Sequence, residues 1–123
     1  MPTTYENYVD GEWIDSSTGE TFAVRNPADT DEVVARFQAS GREDLDAAVE
    51  AAVDAQAEWA NTPGPERGAV LKRAGEVLER RRDDATEALV QEEGKTRSEA
   101  GGEVGRAIDI FHYYAEKARE LGG

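Results

Sequence analysis

The segment SGREDLDAAVEAAVDAQAEW, from Ser40 to Trp59, predicts an amphipathic α-helix. Ser40 and Glu43 have the spacing of a capping box, in which two side chains accept backbone amides at a helix start. Side chains spaced three or four residues apart then share one face of the helix: Leu45, Val49, Ala52, Gln56 and Trp59. Because this face is narrow and rich in alanine, we expect it to pack closely against another element. None of these side chains is chemically reactive, which indicates a structural role.

The residues before Ser40 predict short β-strands. Asp10-Gly11 is a type I′ turn sequence, and it lies between apolar residues on both sides. Asn26-Pro27 is expected to end a strand. The expected elements are a hairpin over Tyr8–Ile14, a turn over Ser16–Glu20, a strand over Thr21–Val24, a loop over Ala28–Asp31 and a strand over Glu32–Gln38.

The residues after Ser40 predict four helices, over Ser40–Ala60, Pro65–Arg82, Asp84–Glu93 and Ser98–Leu121. Pro65 suits a first helical turn, and Asp84 and Glu87 again have capping spacing. Gly94 is placed to end the third helix in a left-handed conformation. Three glycines in the fourth helix each cost about 1 kcal/mol relative to alanine, so we expect another backbone to pass close to them: Gly101, Gly102 and Gly105.

The apolar stripes of these helices predict one shared core. We expect the helices to pack on each other, because each has an apolar face that must be removed from water. The expected contact residues are Val49, Ala52, Trp59, Leu71, Leu78, Leu89, Ile108 and Phe111.

The charge balance excludes some partners. The chain has 27 acidic residues against 14 basic ones, a net charge of −13, and only 3 of the basic residues are lysines. Such a chain repels nucleic-acid phosphates. An acidic, lysine-poor surface is typical of a halophilic protein, because molar salt shortens the Debye length to roughly 3 Å and screens the repulsion. The chain shows no secretory signal pattern and no membrane-spanning run, which predicts a cytoplasmic protein without membrane partners.

The sequence contains few residues that could form a catalytic site. There is no cysteine, so thiolate chemistry and disulfides are excluded within these residues. The single histidine, His112, is expected at the edge of a core. Gly101–Gly105 superficially looks like a dinucleotide loop, but it follows no strand, as the real motif must. Arg80–Arg82 could bind an anion, although a role at a helix C-terminus is favoured in so acidic a chain.

Short motifs occur in one order along the chain: V-D-G-E-W (Val9–Trp13), N-P-A (Asn26–Ala28), V-V-A (Val33–Ala35), E-W (Glu58-Trp59), E-R-G (Glu66–Gly68), L-E-R-R (Leu78–Arg81), E-E-G-K (Glu92–Lys95) and H-Y-Y-A (His112–Ala115). In this order they resemble the N-terminal region of the NAD(P)-dependent aldehyde dehydrogenase superfamily, from roughly Tyr5 to Gly123. Val33–Gln38 and Thr62–Gly68 are more specifically similar to the ketoglutarate-semialdehyde dehydrogenase branch.

The resemblance implies an α/β family fold, of which this chain is an incomplete α+β piece. Residues 1–39 would be an N-terminal β segment, and residues 40–123 the helical part of the cofactor-binding domain. Family members are longer, form homo-oligomers and oxidise an aldehyde with NAD or NADP through a cysteine thiohemiacetal. The family's catalytic and cofactor residues would lie beyond Gly123. The resemblance therefore assigns no catalytic, cofactor-binding or metal residue to this chain, which by itself is expected to be scaffold and to bind no cofactor.

A second hypothesis stays open. The same composition and stripes could belong to a free-standing acidic α+β module that binds other proteins and has no enzymatic activity. The sequence that follows Gly123 in the gene would distinguish the two hypotheses.

Overall fold

The computed structural model describes residues 1–120. The chain divides into two compact units, Met1–Ala60 and Asn61–Gly123. The predicted end of the last helix at Leu121 lies outside the described residues. The elements are β1 (Thr4–Tyr5), β2 (Asn7–Val9), β3 (Glu12–Ile14), β4 (Thr21–Asn26), β5 (Asp29–Gln38), α1 (Arg42–Asn61), α2 (Gly64–Arg80), α3 (Arg82–Glu93) and α4 (Arg97–Lys117).

The α+β class and all four helices are confirmed, and each predicted helix start lies within two residues of the observed one. By its contacts, α1 belongs to the same unit as the strands. The assignment of residues 40–123 to a cofactor-binding domain stays a prediction. Over residues 1–120, none of the helices combines the length and the apolar character needed to cross a bilayer.

The first unit contains a three-stranded sheet in the order β1-β5-β4. β4 pairs antiparallel with β5, and β1 pairs with β5 in parallel. Phe37, in the central strand β5, pairs with Phe22 of β4 and with Tyr5 of β1. The three aromatic rings therefore lie on one face of the sheet. The ring centroids of Phe37 lie 5.4 Å from Tyr5 and 6.2 Å from Phe22. The sequence patterns did not predict β1, since a two-residue strand carries no periodicity.

The β4–β5 connection is tighter than predicted. The expected loop over Ala28–Asp31 is wrong, because β5 already begins at Asp29 and the turn is only Pro27 and Ala28. The Asn26 side chain explains the short turn. Its Oδ1 accepts a hydrogen bond from the Ala28 amide at 2.9 Å, and its Nδ2 donates to Glu32 at 2.8 Å. Asparagine side chains commonly stabilise turns in this way.

The predicted hairpin is confirmed as β2 and β3. Tyr8 pairs with Trp13, and the turn is Asp10-Gly11. Asp10 and Gly11 have φ values of 51° and 82°, as a type I′ turn requires. The rings of Tyr8 and Trp13 lie 5.0 Å apart, a cross-strand aromatic contact that adds to the hairpin's stability.

The start of α1 differs from the predicted capping box of Ser40 and Glu43. The helix begins at Arg42, and Ser40 Oγ accepts a hydrogen bond from the Asn7 side chain instead. Asp44 provides the carboxylate at this terminus. It accepts the Gly41 amide at 2.8 Å and the Ser17 amide at 2.7 Å, so it joins the helix start to the turn after the hairpin.

We expect Asp44 to make the first unit sensitive to acid. Hydrogen bonds from the backbone amides of Ser17 and Gly41 hold the pKa of Asp44 below its ordinary value of 3.8. A carboxyl group whose pKa is lower in the folded state stabilises the fold above its unfolded pKa, and this contribution is lost as pH falls through the folded pKa. Asp44→Asn should therefore melt below wild type at neutral pH, and the difference should shrink below about pH 4.

Both tryptophans, Trp13 and Trp59, lie in the first unit, so their fluorescence can follow its melting between pH 2.5 and 7. Asp54→Asn, the same chemical change at an exposed position of α1, is the control. A wild-type-to-Asp44→Asn difference that stays constant over the whole range would contradict the role given to Asp44.

The predicted shared core is wrong for α1. Val49, Ala52 and Trp59 are exposed, and α1, which is described along its whole length, has no buried residue. Its face therefore lacks the packing partner that the alanine-rich pattern predicts.

In the second unit, α4 packs against α2 and α3. Its buried side chains are Ala100, Val104, Ile108 and Ala115, which confirms the stripe of α4. Of the other predicted core residues in this unit, four are only half-buried: Leu71, Leu78, Leu89 and Phe111. The centre of the unit is thus built largely from small side chains.

The close approach of backbones occurs between α2 and α4, not at the predicted glycines of α4. A Cβ atom placed on Gly68 would overlap the carbonyl oxygen of Ala115, and one on Gly64 would overlap that of Ala118. By contrast, a Cβ on Gly102 would meet nothing within 4 Å, and one on Gly101 would make an ordinary contact of 3.9 Å. The glycines of α4 are therefore not required by a neighbouring backbone.

The predicted cap of α3 is also wrong. Helix α3 begins at Arg82, and its N-terminus has no side-chain cap, so Asp84 and Glu87 form no capping box. Helix α4 begins one residue earlier than expected, with Thr96 and Glu99 as its capping box. The prediction for Gly94 is confirmed, since it ends α3 with a φ of 66°. Arg81 is both the C-cap of α2 and the N-cap of α3, so the single residue between the two helices is Arg81 and not Asp83, as the predicted bounds imply.

Candidate functional site

A groove of about 820 Å³ crosses the second unit. Most of its lining residues are apolar, and three are charged: Arg73, Arg81 and Asp84. Arg81 Nε lies 3.7 Å from Asp84 Oδ2, so this pair offsets part of the charge. The apolar lining residues are Val70, Ala74, Val77, Leu78, Ala85, Ala88 and Phe111.

The chemistry of this groove is that of a binding surface. It contains no hydroxyl, thiol or imidazole group that could act as a nucleophile or a base. Its single carboxylate is exposed and ion-paired, which are not the conditions that activate a general acid or base. The groove can bury apolar side chains of a ligand or of a protein segment.

An ionic cluster fixes the loop between α3 and α4. Lys95 Nζ lies 2.6 Å from Glu103 and 2.5 Å from Glu93. Hydrogen bonds to Glu103 and then Glu93 raise the pKa of Lys95 above its ordinary value, so the amine stays charged and is not a candidate nucleophile. Arg97 pairs with Glu87 nearby. These contacts tie the end of α3 to α4.

Arg67 is the charged residue that the sequence patterns did not single out. Its Nε is buried and has no hydrogen-bond partner within the described part of the chain. A buried donor without an acceptor is costly, so it marks a position where an acceptor from outside residues 1–120 would be stabilising. Helical spacing places Arg67 on the same side of α2 as Val70 and Ala74, which line the groove. This shared position on α2 is the sequence signal that could have identified Arg67.

The other candidate residues from the sequence occupy positions where their role is structural. His112 is half-buried and lies where a side chain on Gly75 would contact it, as expected for a core-edge histidine. Arg80 is in the last turn of α2, where it complements the helix dipole, and Arg81 pairs with Asp84. Gly101–Gly105 lies inside α4. Over residues 1–120, no group of histidine and carboxylate side chains is arranged to hold a metal ion.

The described residues do not fit a dinucleotide cofactor. A phosphate site of this type needs unpaired backbone amides at a helix start that follows a strand. Such a junction occurs between β5 and α1, but the Asp44 carboxylate already accepts the Gly41 amide there. Glu43 adds a second negative charge beside it, so phosphate would be repelled. The amides of Gly101–Gly105 are in the helical part of α4 and offer no loop.

A second apolar groove, of about 370 Å³, lies in the first unit between the hairpin turn and α1. It is lined by Tyr8, Val9, Asp10 and Gly11 on one side. The α1 side is made only of alanines, at positions 48, 51, 52 and 55. Like the groove in the second unit, it offers shape and apolar surface. Its ionisable side chains, Tyr8 and Asp10, are exposed, which is not the condition that activates a general acid or base.

Comparison with known proteins identifies the family. Residues 13–123 match the model of the aldehyde dehydrogenase family. An α-ketoglutarate semialdehyde dehydrogenase of Haloferax volcanii is 60% identical over 123 residues, which are 100% of this chain and 26% of that protein. An α-ketoglutaric semialdehyde dehydrogenase of Bacillus subtilis is 40% identical over 120 residues, 97% of this chain and 25% of that protein.

Solved structures show the same similarity. Lactaldehyde dehydrogenase from Escherichia coli superposes with a TM-score of 0.94 at 31% identity, over 100% of this chain and 26% of that chain. An NAD-dependent benzaldehyde dehydrogenase from Corynebacterium glutamicum gives 0.90 at 37% identity, over 97% and 26%. The chain therefore spans about a quarter of the length of the relatives it matches, and it corresponds to their N-terminal part. On these grounds the chain belongs to the aldehyde dehydrogenase family.

Proposed function

We propose that this chain forms the N-terminal structural quarter of an NAD(P)-dependent aldehyde dehydrogenase that works in the cytoplasm as a homo-oligomer. The observation that carries the proposal is the 60% identity to the Haloferax volcanii enzyme over the whole of this chain. Within the complete enzyme the quarter would contribute packing surfaces, and the residues that react with the aldehyde would lie in the remaining part.

The chemistry of residues 1–123 supports this division. Covalent aldehyde oxidation needs a thiolate to attack the carbonyl, and the chain has no cysteine. It also needs hydrogen-bond donors placed at the developing oxyanion beside a nucleophile, and the larger groove, which is lined by Arg73 and Arg81, contains no nucleophile. The phosphates of the dinucleotide would also be bound elsewhere, because at the β5–α1 junction the Asp44 carboxylate already accepts the Gly41 amide.

The substrate we propose is a semialdehyde that also carries a carboxylate. Two of the relatives are named as dehydrogenases of α-ketoglutarate semialdehyde, at 60% and 40% identity. Other relatives act on glyceraldehyde or malonate semialdehyde by their names, so the quarter shared with this chain does not by itself select the aldehyde.

A chimeric enzyme tests the proposed function. This chain would replace the matching 26% of the Haloferax volcanii enzyme, and NADH or NADPH formation would be measured with α-ketoglutarate semialdehyde in molar KCl. We expect the chimera to be active, whereas the 123-residue chain alone should neither form reduced cofactor nor bind NAD or NADP in calorimetry.

The matched control is the Haloferax volcanii enzyme without its first quarter, which should be inactive. A folded chimera without activity, or saturable cofactor binding by the isolated chain, would overturn the proposal.

A further inference from the structure

Helix α4 has a pocket on the side that faces away from α2 and α3. The pocket has a volume of about 440 Å³, and we call it the α4 pocket. All of its lining residues belong to α4: Arg106, Asp109, Ile110, Tyr113 and Tyr114. Helical spacing places them opposite the buried residues of the same helix, which are Ala100, Val104, Ile108 and Ala115. The α4 pocket therefore lies outside the packed core of the second unit.

Arg106 gives the α4 pocket a positive charge that is not neutralised. Its side chain is exposed, and over residues 1–120 no carboxylate forms an ion pair with it. Asp109, three residues further along the helix, also lines the pocket without pairing with Arg106. The same spacing does pair Arg81 with Asp84 in the larger groove. The guanidinium of Arg106 is therefore available to an anion.

Two tyrosines add hydroxyl groups to the same pocket. Tyr113 and Tyr114 are 58% and 57% exposed, and their rings lie 5.2 Å apart, edge to face. Lys117 Nζ lies 5.9 Å from the centre of the Tyr113 ring, but it pairs with Glu120 at 2.7 Å. The α4 pocket thus combines an unpaired guanidinium with two hydroxyl donors, which neither apolar groove does.

These groups fit a carboxylate better than a phosphate. A planar guanidinium can donate two parallel hydrogen bonds to one carboxylate, and tyrosine hydroxyls can donate to the same oxygens. A phosphate ester carries a charge of about −1.5 to −2, which Asp109 would repel more strongly than the single charge of a carboxylate. Ile110 and the tyrosine rings offer apolar surface to a short carbon chain. The volume of the pocket is in the range of small-molecule sites.

We propose that the α4 pocket binds the carboxylate of the semialdehyde substrate and that Arg106 pairs with it; the inference rests on the proposed function. The proposed substrate has an aldehyde at one end and a carboxylate at the other. The aldehyde end must reach the reacting residues in the remaining part of the enzyme, so the carboxylate end is the part that this quarter can bind. Arg106 is then a binding residue that favours carboxylated aldehydes over uncharged ones.

The chimera described above tests this assignment with two aldehydes of equal chain length. α-Ketoglutarate semialdehyde carries the carboxylate, and pentanal lacks it. Arg106→Gln should lower kcat/KM for the semialdehyde by about 10- to 100-fold, because a charge-assisted pair is lost. The loss should appear in KM, since the carboxylate is bound equally in the ground state and the transition state. The oxidation of pentanal should stay unchanged.

Two further variants separate the charge from the hydrogen bonds, and a third is the control. Arg106→Lys keeps the charge but not the two parallel hydrogen bonds, so it should recover part of the lost activity. Tyr114→Phe removes one hydroxyl and should raise KM for the semialdehyde by less than about tenfold. Arg42→Gln, the same change at an exposed arginine of α1 that pairs with Asp46, should affect neither aldehyde.

The possible outcomes distinguish this inference from the proposed function. If Arg106→Gln leaves the preference of an active chimera for the semialdehyde over pentanal unchanged, the carboxylate site is wrong and the proposed function stands. A lower melting temperature with an unchanged KM would make Arg106 the partner of a protein carboxylate, which also overturns the site. A chimera that oxidises neither aldehyde, while the Haloferax volcanii parent does, would remove the proposed function and this inference together.

Discussion

Gly68→Ala is expected to destabilise the second unit by about 1–3 kcal/mol, although alanine is the better helix former. A Cβ atom at Gly68 would overlap the Ala115 carbonyl oxygen, which belongs to the backbone of α4. It would also lie 3.3 Å from the Cβ atom of Ala118. Because neither group is a flexible side-chain end, the two helices would have to move apart and lose contact along their length.

Gly102→Ala is the matched control, with the opposite expected sign. Gly102 lies in α4, and a Cβ atom there would meet nothing within 4 Å. The gain in helix propensity, about 1 kcal/mol, should therefore appear as added stability. Urea or guanidinium melts followed by circular dichroism in molar KCl would give both values. Equal effects of the two substitutions would show that α2 and α4 do not approach each other as closely as described.

The glycines of α2 and α4 show what the sequence patterns could and could not predict. Gly64 and Gly68 have a four-residue spacing in α2, but Gly64 lies between two prolines, just before the predicted start of the helix. The glycines of α4 were more conspicuous because they fall within an apolar stripe. Whether a glycine is needed depends on the neighbouring backbone, and that neighbour is separated in sequence by about fifty residues.

The helix caps were mispredicted for a related reason. Spacing alone favoured Ser40 with Glu43 and Asp84 with Glu87, since each pair fits a capping box. In the fold, Ser40 accepts a hydrogen bond from Asn7, and Arg81 joins α2 to α3 without a side-chain cap. Local spacing predicts that a helix starts nearby. The side chain that satisfies its amides is decided by tertiary contacts.

The two elements with strictly local causes were predicted correctly. The Asp10-Gly11 hairpin depends on two positive φ values, and Gly94 on one, and these requirements are readable from residue type. The candidate site was less predictable. The stripes of Leu71, Leu78 and Phe111 were recognised as apolar, but only the packing of α2, α3 and α4 shows that Leu78 and Phe111 line an open groove.

Helix α1 has an apolar face, formed by Leu45, Val49, Val53 and Trp59, that illustrates both points. Its helix and its stripe were predicted from periodicity, and the expectation that it packs against another element followed from the same pattern. The first unit supplies no such element, since every large side chain of the face is exposed. Periodicity therefore predicts that a helix has an apolar face, but it does not predict whether the same unit covers that face.

Ile108→Ala is expected to have the largest effect of any single truncation in the second unit. Ile108 is 4% exposed and lies in the stripe of α4 that contains the buried residues Ala100, Val104 and Ala115. Replacing a buried isoleucine by alanine costs about 2–5 kcal/mol, because the lost transfer free energy is joined by the cost of the cavity. The other buried residues of the unit are small, among them Gly75, Thr86 and Ala100, so we expect little repacking into that space and an effect in the upper part of this range.

Ile110→Ala separates this packing effect from any change in helix propensity. It is the same substitution in the same helix, at a side chain that is 44% exposed. We expect it to cost less than about 1 kcal/mol, since little apolar surface leaves water at that position and alanine favours the helix. Denaturant melts of the two variants, followed at 222 nm, give the comparison. If Ile110→Ala proved as costly as Ile108→Ala, the stripe through Ile108 would not be the face on which α4 packs against α2 and α3.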